Sequence, residues 1–247
     1  MMKAKLMLMC AAALVGGSVA SAAVVPIDVD LEAELYGDPG VQVNMTDGAG
    51  FSGSSWHVNI PAGVNKLFKW VAWTPEGGPL AGYNVGDIEN ISYYTKDGNV
   101  SDAKDWYLQI YTLETGSGDA SSWFKNRLTT EPGYLSQANA GDTDDTWVKW
   151  DTSSADANTK LKFYSQASNP ASALDFDALK VAHGGEAIKG LAINSGDTGG
   201  GWAYEGSISS LEVAMNDGTV YQYSFVPEPA SIALLGLGGL ALLRRRK

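Results

Sequence analysis

Ile208-Ser209-Ser210-Leu211-Glu212-Val213-Ala214-Met215, then Asn216-Asp217-Gly218, then Thr219-Val220-Tyr221-Gln222-Tyr223-Ser224-Phe225, is the stretch on which the fold reading turns. Leu211, Val213 and Met215 alternate with small or charged residues, Tyr221, Tyr223 and Phe225 alternate with polar ones, and a period of two is the signature of a half-buried strand. The Asp-Gly pair between them supplies the positive φ that a tight hairpin turn needs. Two apolar rows joined by such a turn make a hairpin able to cover a core.

Working outward, the same period recurs. In Asp28–Leu35, Val29, Leu31, Ala33 and Leu35 alternate with acids. Further strands are expected at Val41–Thr46, Ser55–Ile60, Lys66–Thr74, Ile91–Thr95, Trp106–Leu113, Thr146–Asp151, Lys160–Tyr164, Ala187–Asn194 and Ser207–Met215, with the last at Thr219–Val226. The intervening loops are rich in Gly, Asp, Asn and Ser. One short helix is expected over Ala171–Val181, with Leu174, Ala178 and Val181 at spacings of four and three. Ten or so antiparallel strands bury one core most simply as a jelly-roll-like two-sheet sandwich, so the fold class read here is all-β. About two hundred residues suffice for one such domain.

The two ends carry different information. Lys3 and Lys5 precede an apolar stretch from Leu6 to Val19 and the A-x-A site Ala20-Ser21-Ala22, the pattern of a signal peptide cut by signal peptidase near Ala23. Cys10 is the only cysteine; Met9 before it is not small, which argues against lipidation, and a mature domain without thiols relies on its core. At the other end, Pro227-Glu228-Pro229 precedes an uncharged run from Ala230 to Leu243 and then Arg244-Arg245-Arg246-Lys247. Fourteen helical residues reach about 21 Å against a hydrocarbon core of about 30 Å. Gly236, Gly238 and Gly239 weaken that helix further, so the segment suits a transient membrane insertion with its cations on the cytoplasmic side. The organisation read from this is a signal peptide at 1–22, a β-sandwich domain at 23–226 and a C-terminal signal at 227–247.

The order Pro-Glu-Pro, apolar segment, arginine-rich end resembles the PEP-CTERM sorting signal. That resemblance implies recognition by an exosortase at Pro227, Glu228 and Pro229, with Arg244, Arg245 and Arg246 in the basic end. It also implies cleavage near the tripeptide and delivery to the envelope, surface or extracellular matrix of a Gram-negative bacterium that makes exopolysaccharide. Within the body, Asp105-Trp106-Tyr107-Leu108, Ile110-Tyr111-Thr112, Trp123-Phe124, Asn126-Arg127-Leu128 and Glu131-Pro132 are similar to a recurrent extracellular bacterial β-sandwich without a known activity.

Charge excludes some partners. The chain has 17 Lys and Arg against 28 Asp and Glu; with Lys3, Lys5 and the four terminal cations set aside, 11 face 28, a net charge of −17. Nucleic acids and anionic membrane surfaces are bound by cation clusters, which this body lacks.

The chemistry-bearing motifs are few. His57 and His183 are the only histidines, neither in an H-E-x-x-H pattern, and no G-x-S-x-G elbow occurs. No catalytic constellation emerges, and the expectation is a non-catalytic protein. The alternative is an extracellular polysaccharide hydrolase or lyase using paired carboxylates such as Asp175 and Asp177. Asp142, Asp144 and Asp145 in a Gly-started loop are candidate ligands for a structural calcium, without the glycine and distal glutamate of an EF-hand; no other cofactor is indicated. Trp70, Trp73, Trp106, Trp147 and Trp150 fall in apolar strand patterns and are expected in the core. Trp123 and Trp202 sit in loop-like contexts and are the candidate ligand-binding aromatics, with a polysaccharide as the candidate partner.

Overall fold

The computed structural model describes residues 22–29, 42–44, 46–61, 66–73, 78–97, 105–113, 124–132, 145–165, 168–197 and 204–225. The expected signal peptide and sorting segment lie outside these residues. So do Asp30–Leu35, Trp123, Trp202, Asp142 and Asp144. Among the described residues no helix is long and apolar enough to cross a membrane.

Among the described residues thirteen strands form two sheets. They are β1 (Ala23–Val29), β2 (Gln42–Asn44), β3 (Ser55–Ile60), β4 (Lys66–Trp73), β5 (Ile88–Asp97), β6 (Tyr107–Leu113), β7 (Asn126–Thr130), β8 (Val148–Asp151), β9 (Lys162–Ser165), β10 (Leu174–Asp175), β11 (Ala187–Asp197), β12 (Tyr204–Met215) and β13 (Thr219–Phe225). The first sheet holds β1, β2, β3, β5, β8, β12 and β13; the second runs β10-β9-β7-β6-β11-β4. Packed face to face, they make the jelly-roll-like sandwich. These strands pair antiparallel except that β1 runs parallel to β13, Ala23 beside Thr219 and Val29 beside Phe225. No short turn joins these two strands, so nothing forces the antiparallel direction.

The β12–β13 hairpin is built as its sequence requires. Gly218 takes φ +86 and donates its N–H to Met215 O at 2.9 Å. Leu211, Val213, Met215, Tyr223 and Phe225 are fully buried. β12 is the central strand of the first sheet. One side pairs with β5 along nearly its whole length, while the other is shared end to end by β3, opposite Tyr204–Ile208, and β13, opposite Leu211–Ala214. At this fork Ser210 adopts φ +51 in a bulge opposite β5. The extra residue keeps Ile208 and Leu211 both facing the core, where an unbroken period of two would turn one of them out. Ser209 and Ser210 then bind the segment before β3: Ser52 N–H donates to Ser210 Oγ at 2.8 Å, and Ser209 Oγ donates to Ser54 O at 2.8 Å.

The core joins both sheets through Trp56, Trp106 and Phe225, with Ile91, Tyr93, Leu108, Ile110, Leu128, Phe163, Leu191 and Ile193 around them. The helix α1 spans Phe176–His183, shorter than the Ala171–Val181 expectation, with a 3-10 turn at Pro170–Ser172 before it. Its buried face is Phe176 and Leu179, whereas Val181 is 91% exposed and Leu174 and Ala178 are exposed. The expected stripe therefore faces solvent. Because the helix starts at Phe176, the i,i+3 pair that reaches the core begins there, and Phe176 lies 5.5 Å from Phe163 of β9.

Candidate functional site

In the second sheet the core-facing residues of β6 are Leu108 and Ile110, and those of β11 are Leu191 and Ile193. The alternate residues, Tyr107, Gln109 and Tyr111 on β6 and Gly190, Ala192 and Asn194 on β11, lie on the sheet's outer face. Strand register arranges them in rows. Asn194 stands beside Tyr107; Ala192, Gln109, Thr129 and Tyr164 follow one another across four strands; Gly190, Tyr111 and Arg127 form a third row. β11 thus lays a floor of small side chains next to a line of tyrosine, glutamine and tyrosine.

This face is polar yet buried. Gln109 is 7% exposed, Tyr111 and Asn194 1% each. Tyr111 Oη donates to Gln109 Oε1 at 2.7 Å, Gln109 Nε2 donates to Thr129 Oγ1 at 3.4 Å, and the Phe124 ring meets Tyr111 edge-on at 5.0 Å. Burial pushes the Tyr111 hydroxyl up to about 12, against the opposing pull of Arg127. Burial likewise raises Tyr107, helped by Glu131 and by the neighbouring Tyr111 and Tyr164. Both phenols are neutral at physiological pH and offer hydrogen bonds without charge. Asn194 is different: neither its Nδ2 nor its Oδ1 has a hydrogen-bond partner among the described residues, and Arg127 Nε is in the same position. A buried carboxamide left unsatisfied costs about 1–3 kcal/mol, so Asn194 has both a donor and an acceptor to offer to a partner from outside the described residues.

The residues singled out from sequence lie elsewhere. His57 is on β3, its Nδ1 3.0 Å from Ser207 Oγ and its Nε2 3.4 Å from Glu205 Oε1. His183 ends α1 with Nδ1 2.8 Å from Glu186 Oε1. Glu186 also accepts from Asn126 Nδ2 at 2.8 Å and from the Thr112 hydroxyl, tying α1 to the ends of β6 and β7. Asp175 pairs with Lys160 and Lys162 at 3.4 and 3.6 Å, and Asp177 is 98% exposed and pairs with Lys180. Asp175 thus has two cations and Asp177 a third, with none shared between them. Asp145 pairs with Lys96 at 3.3 Å. Lys96 also donates to Asp47, which accepts from Trp147 Nε1 at 3.3 Å, and the ammonium lies 5.4 Å from the Trp147 ring. Among the described residues no three His, Cys, Asp or Glu side chains are grouped to hold a metal. Trp106 and Trp150 are core residues as expected; Trp147 is instead half-buried beside Lys96.

The C-terminal exit is equally defined. β13 ends at Phe225, whose ring is 4.7 Å from Trp56, one residue before Val226 and two before Pro227. A family model described as the PEP-CTERM protein-sorting motif matches residues 225–247. The chain carries a PEP-CTERM sorting motif. The motif implies export to the cell envelope or surface, and it begins at the last residue of the last strand. No curated protein matches this chain. Among solved structures it is similar to a family 11 carbohydrate-binding module from Clostridium thermocellum in complex with a β-1,3-1,4-mixed-linked tetrasaccharide. That similarity has 13% identity and a TM-score of 0.34, over 74% of this chain and 88% of that one.

Proposed function

We propose that this is an exported, non-catalytic envelope or extracellular-matrix protein whose sandwich binds carbohydrate on the outer face of the second sheet. The observation that carries the reading is the buried, unpartnered carboxamide of Asn194 in line with Tyr107, Gln109 and Tyr111. A sugar hydroxyl both donates and accepts, so it answers both ends of a carboxamide. Neutral phenols, a glutamine amide and aromatic ring faces complete a chemistry suited to an uncharged polyol. Processing by signal peptidase after Ala22 and by an exosortase near Pro227–Pro229 belongs to the same proposal, as does transient membrane insertion of 230–243. A structural calcium at Asp142, Asp144 and Asp145 is its separate metal arm, read out as a melting temperature that falls on chelation.

The test is a glycan array and a reducing-end assay on the body from Ala23 to Phe225, with Asn194→Ala alongside. Binding by the wild type, lost in the variant without a fall in melting temperature, is the expected result. Equal binding by the variant would overturn the assignment of the face, and new reducing ends would overturn the non-catalytic reading.

A further inference from the structure

The fork in the first sheet fixes where the sorting segment leaves the domain. Register carries β13 to Phe225 and β3 to Ser55 at the same position on β12, Ser209. One strand further out the arrangement repeats: β1 flanks β13 and β2 flanks β3. The last described residue therefore lies midway along the line of β13 and β3, one strand in from the β1–β2 edge, not at a tip of the sandwich. Phe225, fully buried against Trp56, pins that exit. From Phe225 to Ala230 only Val226-Pro227-Glu228-Pro229 intervene, a reach of at most about 18 Å. A domain of this size has a radius of gyration of about 17 Å. A tether no longer than that keeps the exit point, and the edge beside it, close to the surface the domain is tied to.

We infer that, while the C-terminal apolar segment is in the membrane, the domain is held edge-on, with β1 against the bilayer surface and both sheet faces standing clear of it. The inference rests on the membrane reading of residues 230–243. β1 suits the position: Val24 is 54% and Val25 36% exposed, and Pro26 faces solvent where a further strand would need an N–H donor. Attraction does not set the orientation, because the body is strongly acidic; the short tether does.

Cys10 is the only cysteine, so single thiols are readily placed. In the processed chain from Ala23 to Lys247, which has lost Cys10, Val24→Cys marks the proposed contact edge. Ala155→Cys, exposed in the turn after β8 at the other edge of the same sheet, marks the far side. Each is reconstituted into phosphatidylcholine vesicles and labelled with a membrane-impermeant maleimide. At least a five-fold slower labelling at position 24 than at 155 is expected, and fifteen Gly and Ser residues inserted after Val226 should equalise the rates. Equal rates without the insertion, in chain that floats with the vesicles, overturn the edge-on inference while sparing the membrane reading. Slowing that survives the insertion overturns the tether as its cause. Chain that does not float overturns the membrane reading itself and the inference with it.

Discussion

Phe225 and Trp56 place their rings 4.7 Å apart at the point where β13 and β3 meet end to end on β12. The contact seals the fork in the first sheet, where the two strand ends follow one another along a common line instead of pairing side by side. It also joins the last residue of the folded body to the centre of the core.

Phe225→Ala should therefore destabilise the domain by about 3–5 kcal/mol, the range for emptying a large aromatic site in a packed core. Denaturant unfolding followed by tryptophan fluorescence measures it. A loss below about 1 kcal/mol would show that the fork closes without this ring.

Ser210 separates two contributions. Ser210→Ala and Ser210→Gly both remove the hydroxyl that accepts from Ser52 N–H, but only glycine relieves the positive φ. The alanine variant should be the less stable of the two by about 1 kcal/mol. Equal stability would mean that the bulge relaxes when the hydroxyl is gone.

The Glu186 carboxyl is pushed up by burial, but bonds from Thr112, His183 and Asn126 outweigh that and hold it below the ordinary glutamate value of 4.5. A depressed folded-state value contributes stability that is complete above the unfolded value and lost as the pH falls through the folded one. Glu186→Gln should lower the melting temperature at pH 7 and flatten its decline below about pH 4.5. An unchanged acid limb would place the titrating group elsewhere.

Lys96 and its two carboxylates predict unequal effects. Burial pulls the Lys96 ammonium down and Asp47 and Asp145 raise it further than burial lowers it; Asp47 is held low chiefly by the bond from Lys96. The Asp145 side chain is 81% exposed, so Asp145→Asn should leave stability within about 0.5 kcal/mol of wild type. Lys96→Met removes the group that joins Asp47, Asp145 and Trp147, and should cost about 1 kcal/mol. Thermal denaturation of the two variants side by side checks the order.

Much of the architecture is legible in residue alternation. Ser55–Ile60 is read with its observed bounds, and Lys66–Thr74, Trp106–Leu113 and Thr219–Val226 each overrun by one residue. β7 escapes because Asn126-Arg127-Leu128-Thr129-Thr130 has one apolar residue: its outer face meets the polar rows, and Asn126 on its inner face serves Glu186. β1 escapes because Pro26 reads as a breaker, although an exposed edge strand tolerates it. The candidate site is only half visible. Tyr107-Leu108-Gln109-Ile110-Tyr111 and Gly190-Leu191-Ala192-Ile193-Asn194 each announce a polar or small row opposite an apolar one. That β6 and β11 lie side by side, so that Asn194 reaches Tyr107, is a matter of topology that alternation does not encode.

The parallel pairing of β1 with β13 sets a clock on assembly. Ala23 N–H donates to Gly218 O at 3.1 Å, a bond between the first strand and the final turn. Closing so long a loop costs only slightly more free energy than closing a shorter one, but contacts this distant in sequence form late and slowly. An exported chain emerges amino end first, so β1 must wait without its partner until nearly the whole domain has crossed. During that interval the open strand is a sticky edge that export-side chaperones have reason to shield. The strand that completes the sheet is also the one that leads into the sorting motif, so maturation of the body and delivery of its address label coincide.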